Sequence, residues 1–277
     1  MQSLTAFLDE RVDGRALGIA RIILGIAVLF KGLVTAAILH EFQTSDTVLY
    51  PYGPLEIATP AGIIATGASV FWVLFSLFFI VGFGTRTSGA LLAVSILLVI
   101  GVDQQMYSNH LYLSALLVAL MSIAGAGSRY SVDAWLGSGD GLTPLWAIML
   151  IKLQLTSVYG FAAITKFNEG FLSGRVLERS LEPAYRERIE RIISLDVLAI
   201  MAVVTELFLA AAFWHPRLRY VALPIGIGFH ITNVVVMSSS GRFNFSIFAL
   251  VMLSMMVVFF TSPRSLNTNK ASPAGDA

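Results

Sequence analysis

Long apolar runs dominate this chain and restrict what it can fold into. Of its 277 residues, 56% are hydrophobic and only 13% are charged, and the mean hydropathy is +0.79. A soluble domain is about a quarter charged, and roughly 18–20 apolar residues cross a bilayer core of about 30 Å. The runs predict eight membrane spans: Leu17–Leu39, Pro60–Gly82, Thr87–Val102, Leu111–Ala126, Leu145–Thr165, Leu195–Trp214, Tyr220–Met237 and Phe243–Thr261.

The predicted fold class is an all-α, polytopic membrane bundle of about eight transmembrane helices. The apolar residues come in blocks and do not alternate, which excludes a membrane β-barrel. Residues 1–263 are expected to form one transmembrane domain. Residues 264–277 are rich in Ser, Asn, Pro and Gly and are expected to be a disordered tail. The polar, charged start of the chain lacks the features of a signal peptide.

The residue types present narrow the possible chemistry. The chain has no cysteine, which excludes disulfides, a thiolate nucleophile and a Cys-ligated metal. Its four histidines, at positions 40, 110, 215 and 230, show no metal-ligand spacing, so we predict no metal site. Nucleic-acid binding is not expected, because the one Arg-rich stretch is balanced by glutamates.

Basic residues near the ends of the spans predict the orientation in the membrane. One side holds Arg11, Arg15, Arg86, Arg129, Arg217, Arg219, Arg264 and Lys270. Both termini are therefore expected to be cytoplasmic. The connection from Lys166 to Ile193 opposes this orientation, because it places five arginines and a lysine outside. The other connections outweigh it, and its stretch Ala184–Ile193 is predicted to be a short amphipathic helix at the interface.

The fifth span carries a polar stripe. Lys152, Tyr159 and Lys166 are seven residues apart and share one face of a helix. One interpretation is that both lysines snorkel toward the headgroups. The functional interpretation makes Lys166 a base. A lysine is a base near neutral pH only where burial or a neighbouring cation lowers its pKa from about 10.4, and His110 or Arg175 would supply such a charge.

Two histidines are predicted at the depth of Lys166. The topology places His110 at the outer mouth of the fourth span and His230 in the outer half of the seventh. Ionisable residues within a membrane are candidates for a functional site. We therefore expect these three basic groups to converge on one layer, facing the extracytoplasmic side.

Simpler interpretations exist for several of the same polar residues. Asn109 suits the N-cap position of the fourth span. His230 and Asn233, three residues apart on one face, suit an interhelical hydrogen-bonding pair. Glu206, in the middle of the sixth span, suits a structural pair with a buried cation.

A set of short motifs runs through most of the chain. They are Tyr107–Leu113, Tyr130–Asp133, Tyr159–Lys166 with Gly174, and Phe229–Asn233 with Gly241–Phe243. In their order and spacing they resemble the vitamin K-dependent γ-glutamyl carboxylase family. The opening Ala20–Gly25 resembles the first span of the same superfamily, the horizontally transferred transmembrane (HTTM) domain, which would occupy residues 1–263.

The resemblance implies a specific reaction. Lys166 would be the base that deprotonates a reduced quinone of the vitamin K or menaquinol type so that O₂ can add. The γ-proton of a glutamate would then be removed, CO₂ (or bicarbonate) would trap the carbanion, and the quinone would leave as an epoxide. The catalytic set implied is Lys166, His110 and His230. The substrate- and quinone-binding set predicted with it is Asn109, Tyr112, Tyr159, Asn233 and Arg175.

The chain departs from the carboxylases in length. Those enzymes carry a large luminal domain that binds the substrate's propeptide, whereas only a short tail is expected here after the eighth span. A peptide or protein substrate would therefore be delivered by a partner protein or be of a different kind. We expect a compact bacterial member in the cell (inner) membrane.

Two alternatives to the enzyme remain. Short superfamily members resemble a membrane component that helps to mature an exported toxin of the sporulation-delaying type. The chain would then be a maturation or immunity factor for an exported peptide. The other alternative is a non-catalytic protein that binds a quinone or a lipid.

Overall fold

A computed structural model describes residues 8–44, 52 and 61–261. Eight long helices make up most of it: α1 (Arg15–Thr44), α2 (Ala61–Val81), α3 (Thr85–Val102), α4 (Asn109–Ile123), α6 (Leu145–Thr165), α10 (Leu195–Ala212), α11 (Arg219–Val236) and α12 (Ser239–Val258). The shorter elements are β1 (Arg11–Asp13), α5 (Val132–Trp135), β2 (Leu142–Pro144), α7 (Glu169–Leu172), α8 (Arg175–Ser180) and α9 (Pro183–Glu190).

The eight long helices coincide with the eight predicted spans, and the all-α membrane bundle is confirmed. Six of them are long and apolar enough to cross a membrane, while α4 and the Thr66–Val81 part of α2 are shorter apolar stretches. The helix boundaries differ from the prediction by a few residues. Ser108, and not Asn109, occupies the N-cap of α4, so the N-cap interpretation of Asn109 is wrong. The predicted tail, residues 264–277, lies outside the described residues.

One end of the bundle, here called the strand end, is closed by β1, β2 and α5. The two strands pair antiparallel, with Val12 opposite Thr143. The carboxylate of Asp133, in α5, accepts hydrogen bonds from the backbone N–H groups of Gly84 and Thr85, each at 2.8 Å. This side-chain cap satisfies the first N–H groups of α3 and fixes where that helix begins.

A fully buried arginine ties the strand end together. The Arg21 side chain, in α1, is 0% exposed. Its Nη1 donates to the carbonyl of Ala126 at 3.1 Å, and its Nη2 donates to those of Ile80 at 3.3 Å and Tyr130 at 2.5 Å. Tyr130 has φ 52°, an unfavourable conformation for a residue with a Cβ. We infer that the hydrogen bond from Arg21 stabilises this conformation.

The opposite end, here called the cap end, is covered by α7, α8 and α9. Leu181 forms an isolated antiparallel bridge with Met237, between α11 and α12. Beside it, the Glu182 backbone N–H donates to the Val236 carbonyl at 2.9 Å, and the Glu182 carboxylate accepts from the Ser239 N–H at 3.1 Å. These bonds hold the connection between α6 and α10 against the turn between α11 and α12.

Glycine is required where the cap meets α10. Gly174 precedes α8 with φ +78°, and a Cβ on it would lie 2.6 Å from the Leu195 Cβ. The predicted amphipathic segment Ala184–Ile193 is helical over most of its length, as α9. This eight-residue helix has no buried residue. Its stability therefore depends on Pro183 at its first position and on the hydrogen bonds of the neighbouring Glu182.

The apolar core has two parts. The larger part packs α1 to α4 against α6 and α12, while a smaller cluster lies beneath the cap. That smaller cluster consists of Ala163, Phe171, Leu177, Leu181, Ala199 and Val203. Among the six candidate membrane spans of the described residues, α11 is the least buried, and its buried residues are Ala222, Gly226 and His230. The loose packing of α11 leaves space beside α6 and α10.

Candidate active site

A mostly apolar cavity of about 250 Å³ lies under the cap, between α6, α10, α11 and α12. Its five polar residues are Tyr159, Lys166, Glu206, His230 and Asn233. The remaining wall is aliphatic, Met and Phe side chains. An apolar cavity with a few convergent polar groups is the usual form of a small-molecule site.

Lys166 immediately follows α6, and its side chain turns into this cavity. Its Nζ donates a hydrogen bond to Glu206 Oε1 and forms an ion pair with it. The same Nζ lies 5.5 Å from the centroid of the Phe171 ring, in the cap. The Lys166 side chain is 26% exposed, whereas Glu206 is 4% exposed. Lys166 is therefore held inside the protein by an acid and an aromatic ring and does not simply snorkel outward.

The ion pair constrains the chemistry of both partners. An ammonium that donates to a carboxylate has no lone pair and cannot act as a base until its proton has moved. Glu206 Oε2, the second carboxylate oxygen, is buried and has no hydrogen-bond partner. The cavity therefore contains a held cation and an unused acceptor side by side.

Tyr159 and His230 form a second polar pair in the cavity. The Tyr159 hydroxyl lies 2.8 Å from His230 Nε2, and the imidazole is 5% exposed. The pair joins α6 to α11, two helices that otherwise stand apart across the cavity. The interhelical pair anticipated for His230 exists, but its partner is Tyr159. Asn233 follows His230 by one turn and lines the same cavity.

His110 lies in an adjoining pocket of about 400 Å³ together with Asn109 and Tyr112. Val158, Ala162 and Phe248 line both this pocket and the cavity. The Phe248 ring centroid is 6.5 Å from that of His110 and 5.7 Å from that of His230.

Of the three predicted basic groups, Lys166 and His230 therefore share one cavity. His110 approaches them from across a wall that contains Phe248. The predicted common layer of three groups is divided into two neighbouring compartments.

The family model of the HTTM domain matches residues 10–263. The chain belongs to the HTTM domain family. No curated protein and no solved structure matches the chain. The superfamily resemblance inferred from the motifs is thus confirmed at the level of the HTTM domain.

Some motif residues of this HTTM domain are architectural. Arg21, Tyr130 and Asp133 hold the strand end together and lie outside the cavity. Gly174 allows α8 to pack against the start of α10. By contrast, the motif residues from α6 and α11 meet in the cavity. The shared motifs of the HTTM domain thus have two different structural roles.

Arg175 is placed away from both compartments. Its side chain is 57% exposed and pairs with Glu169 at 2.7 Å, in a separate surface pocket. It therefore does not supply a charge close to Lys166 in this structure. Within the described ranges, no group of three or more His, Asp or Glu residues is arranged to hold a metal ion.

Sequence reasoning predicted one further polar residue of the HTTM domain in part and missed another. The ion pair predicted for Glu206 is confirmed, and its partner, which the sequence did not identify, is Lys166. Lys31, in α1, was not selected at all. Its Nζ donates to Asn244 Oδ1 at 3.0 Å. In both cases the available signal was a charged residue inside an apolar run, which requires a partner or a cavity.

Proposed function

We propose that the protein is an integral-membrane enzyme of the vitamin K-dependent carboxylase type. It uses a reduced quinone and O₂ to drive proton abstraction from, and carboxylation of, a glutamate in a peptide or protein. The observation that carries the proposal is the position of Lys166, in an apolar cavity with Glu206, Tyr159 and His230. The HTTM domain that surrounds this cavity supports the same relation.

The lining of the cavity supports a quinone as its ligand. Its walls include Phe171, Phe229, Phe245 and Phe248, which suit a flat aromatic ligand. The unpaired Glu206 Oε2 offers an acceptor to a hydroxyl of the reduced form. The bound quinone would supply the reducing equivalents that convert O₂ into the strong base for glutamate deprotonation. A lipid-soluble ligand would reach the loosely packed α11 through the bilayer.

Lys166 becomes a base when Glu206 holds its proton. Transfer of one proton from Nζ to Oε1, along the existing hydrogen bond, converts the ion pair into a neutral amine and a neutral acid. In a cavity with little water, an ion pair loses most of the hydration that favours its charged form. The neutral Nζ can then take the proton of a ligand hydroxyl, and Glu206 stays beside it as the holder of the first proton.

The other polar residues would position the reactants. The Tyr159–His230 bond fixes the imidazole orientation on one wall. Asn233, one turn further along, offers an amide to a carbonyl or carboxylate of the acceptor. The neighbouring pocket, across Phe248, would be the route by which CO₂ or the acceptor side chain approaches. Its polar residues His110, Asn109 and Tyr112 would act from there.

The acceptor would arrive at the cap end. That end is expected to face the extracytoplasmic side of a bacterial cell membrane. A partner protein is proposed to present the peptide there. The exposed arginines and glutamates of α8 and α9 provide the charged surface for such a contact.

Purified protein should test this function directly. It would be supplied with a chemically reduced menaquinone and O₂, and the extract would be searched for quinone epoxide. A glutamate-containing peptide and labelled CO₂, added to the same assay, would report carboxylation. Epoxide formation is the expected result.

Absence of epoxide from folded, quinone-loaded protein would contradict the proposed function. Such a result would favour a non-catalytic quinone-binding protein. One observation supports that second candidate, since Lys166, as an ammonium paired with Glu206, has no lone pair with which to act as the base. A maturation factor for an exported peptide would give neither epoxide nor stable quinone binding.

A further inference from the structure

The two oxygens of Glu206 have different surroundings. Oε1 accepts a hydrogen bond from Lys166. Oε2 is shielded from solvent and has no hydrogen-bond partner. The whole residue is 4% exposed and lines the cavity. An ionised carboxylate has about four acceptor sites, so Glu206 keeps unused capacity on the side away from Lys166.

An unpaired buried acceptor of this kind is uncommon. More than about 90% of buried polar groups in proteins have a partner, and each exception calls for a reason. Burying a charged group without a hydrogen-bond partner costs more free energy than burying a neutral group without one. Here Glu206 lines a cavity, so a ligand whose hydrogen-bond donor reaches Oε2 would remove the deficit. The neighbouring Tyr159 hydroxyl does not do so, because it lies against His230.

We propose that Glu206 Oε2 accepts a hydrogen bond from a ligand hydroxyl and thereby makes the cavity selective for a hydroquinone over the corresponding quinone. This inference rests on the proposed function, and it adds a residue that determines which redox state binds. A hydroquinone carries two O–H donors. A quinone carries only carbonyl acceptors, which would face the carboxylate with no proton between them.

The Lys166 pair keeps Oε2 an acceptor in either protonation state. With the ammonium in place, Glu206 is a carboxylate and has no proton to donate. After proton transfer within the pair, the proton sits on Oε1, and Oε2 is a carbonyl-type acceptor. The selectivity for a donor therefore survives the step that would activate Lys166.

A hydrogen bond to a charged acceptor should make the hydroquinone bind at least about tenfold more tightly than the quinone, which cannot donate one. Preferential binding of the reduced form raises the midpoint potential of the bound couple. For a two-electron couple, tenfold corresponds to about 30 mV. Discrimination of this size can be measured without any turnover, which separates binding selectivity from catalysis.

The experiment is an anaerobic redox titration of short-chain menaquinone bound to the purified protein in detergent. The wild type, Glu206→Gln and Glu169→Gln would be compared with menaquinone in detergent alone. Gln has nearly the size of Glu and still pairs with Lys166, but its amide also donates. Glu169→Gln is the matched control, since it makes the same change in the exposed pair with Arg175.

We expect the wild type and Glu169→Gln to raise the potential by about 30 mV or more, and Glu206→Gln to lose most of that shift. A wild-type shift of zero or of opposite sign would overturn the selectivity, even if both forms bind. A shift that persists in folded Glu206→Gln would remove Glu206 as its cause. Failure of the wild type to bind either form would overturn the proposed function itself. The wild-type shift decides the selectivity even if the variant folds poorly.

Discussion

The two ends of the bundle each bury a charged side chain, but in opposite ways. At the strand end, Arg21 is fully enclosed and donates three hydrogen bonds to backbone carbonyls. At the cap end, Lys166 pairs with Glu206 beside a cavity, and one carboxylate oxygen remains without a partner. Arg21 connects three segments of chain that are far apart in sequence, namely its own helix, the end of α2 and residues 126–130. The Lys166 pair connects only α6 and α10 and borders empty space.

The difference shows that burial of a charge does not by itself mark an active site. Each of these residues lies in a motif of the HTTM resemblance, and each would be selected by a search for ionisable groups in a membrane. What separates them is the remaining bonding capacity next to a cavity. Arg21 also has one unpaired nitrogen, Nε, but Arg21 does not line the cavity, whereas Glu206 does. Substitutions at the two ends should therefore separate a structural tie from a site that keeps unused bonding capacity.

Arg21→Met is expected to produce the largest loss of stability. It would leave the carbonyls of Ala126, Ile80 and Tyr130 without their donor, at a cost of about 3 kcal/mol or more. Denaturant unfolding in detergent would measure this loss. Arg15→Met is the matched control, because Arg15 lies on the same helix but is exposed. A loss no greater than the control's would show that Arg21 is not the tie we describe.

Lys166→Met should destabilise the protein by about 2 kcal/mol, since it leaves Glu206 buried without its cation. The double variant Lys166→Met/Glu206→Gln should recover most of this loss. A double-mutant cycle would measure a coupling of about 1–2 kcal/mol between the two sites. Additive effects would mean that the ion pair is not maintained in the membrane-embedded protein.

Tyr159→Phe should cost about 1 kcal/mol, because His230 Nε2 then loses its partner in the cavity. The same substitution in a His230→Leu background should cost little more than His230→Leu alone. Tyr112→Phe provides the control, as Tyr112 is half exposed at the neighbouring pocket. Equal effects of the two tyrosine substitutions in the wild type would argue against the Tyr159–His230 bond.

Arg175→Ala should have the smallest effect. Its pair with Glu169 is exposed, and exposed pairs contribute about 0–1 kcal/mol. Both unfolding and the affinity for menaquinone should match the wild type. A marked loss of affinity would restore Arg175 to the site, as the sequence had predicted, and would require the cap to rearrange on binding.

The fold was largely predictable because the membrane imposes a simple rule on helices. An apolar run long enough to cross a bilayer favours a helix, because a helix pairs all its backbone polar groups internally, and the eight apolar runs correspond to the eight long helices of the described residues. The ends of individual helices were less predictable, because they depend on contacts between residues that are distant in sequence. Asp133 determines the start of α3 from 48 positions away. A single sequence offers no sign of that bond.

The site was predictable in part for a related reason. Lys166, Tyr159 and His230 were selected because polar groups in a span need partners, and all three line one cavity. Which helices lie side by side depends on tertiary packing, so Glu206 was not identified as the partner of Lys166. His110 was placed at the right end of the bundle, but the intervening Phe248 was not foreseen. Arg175 had been selected only because it lies near Lys166 in the sequence.

The most direct test compares epoxide formation by the wild type with that by Lys166→Ala and Lys152→Ala. Lys152 lies two helical turns before Tyr159 on α6, and its Nζ lies 5.3 Å from the Phe259 ring centroid, at the strand end. Each sample would first be shown to be folded and to contain quinone. We predict that Lys166→Ala lowers epoxide formation by at least about 100-fold, while Lys152→Ala leaves it close to the wild-type rate. Epoxide formation that survives in Lys166→Ala would contradict the assignment of Lys166 as the base.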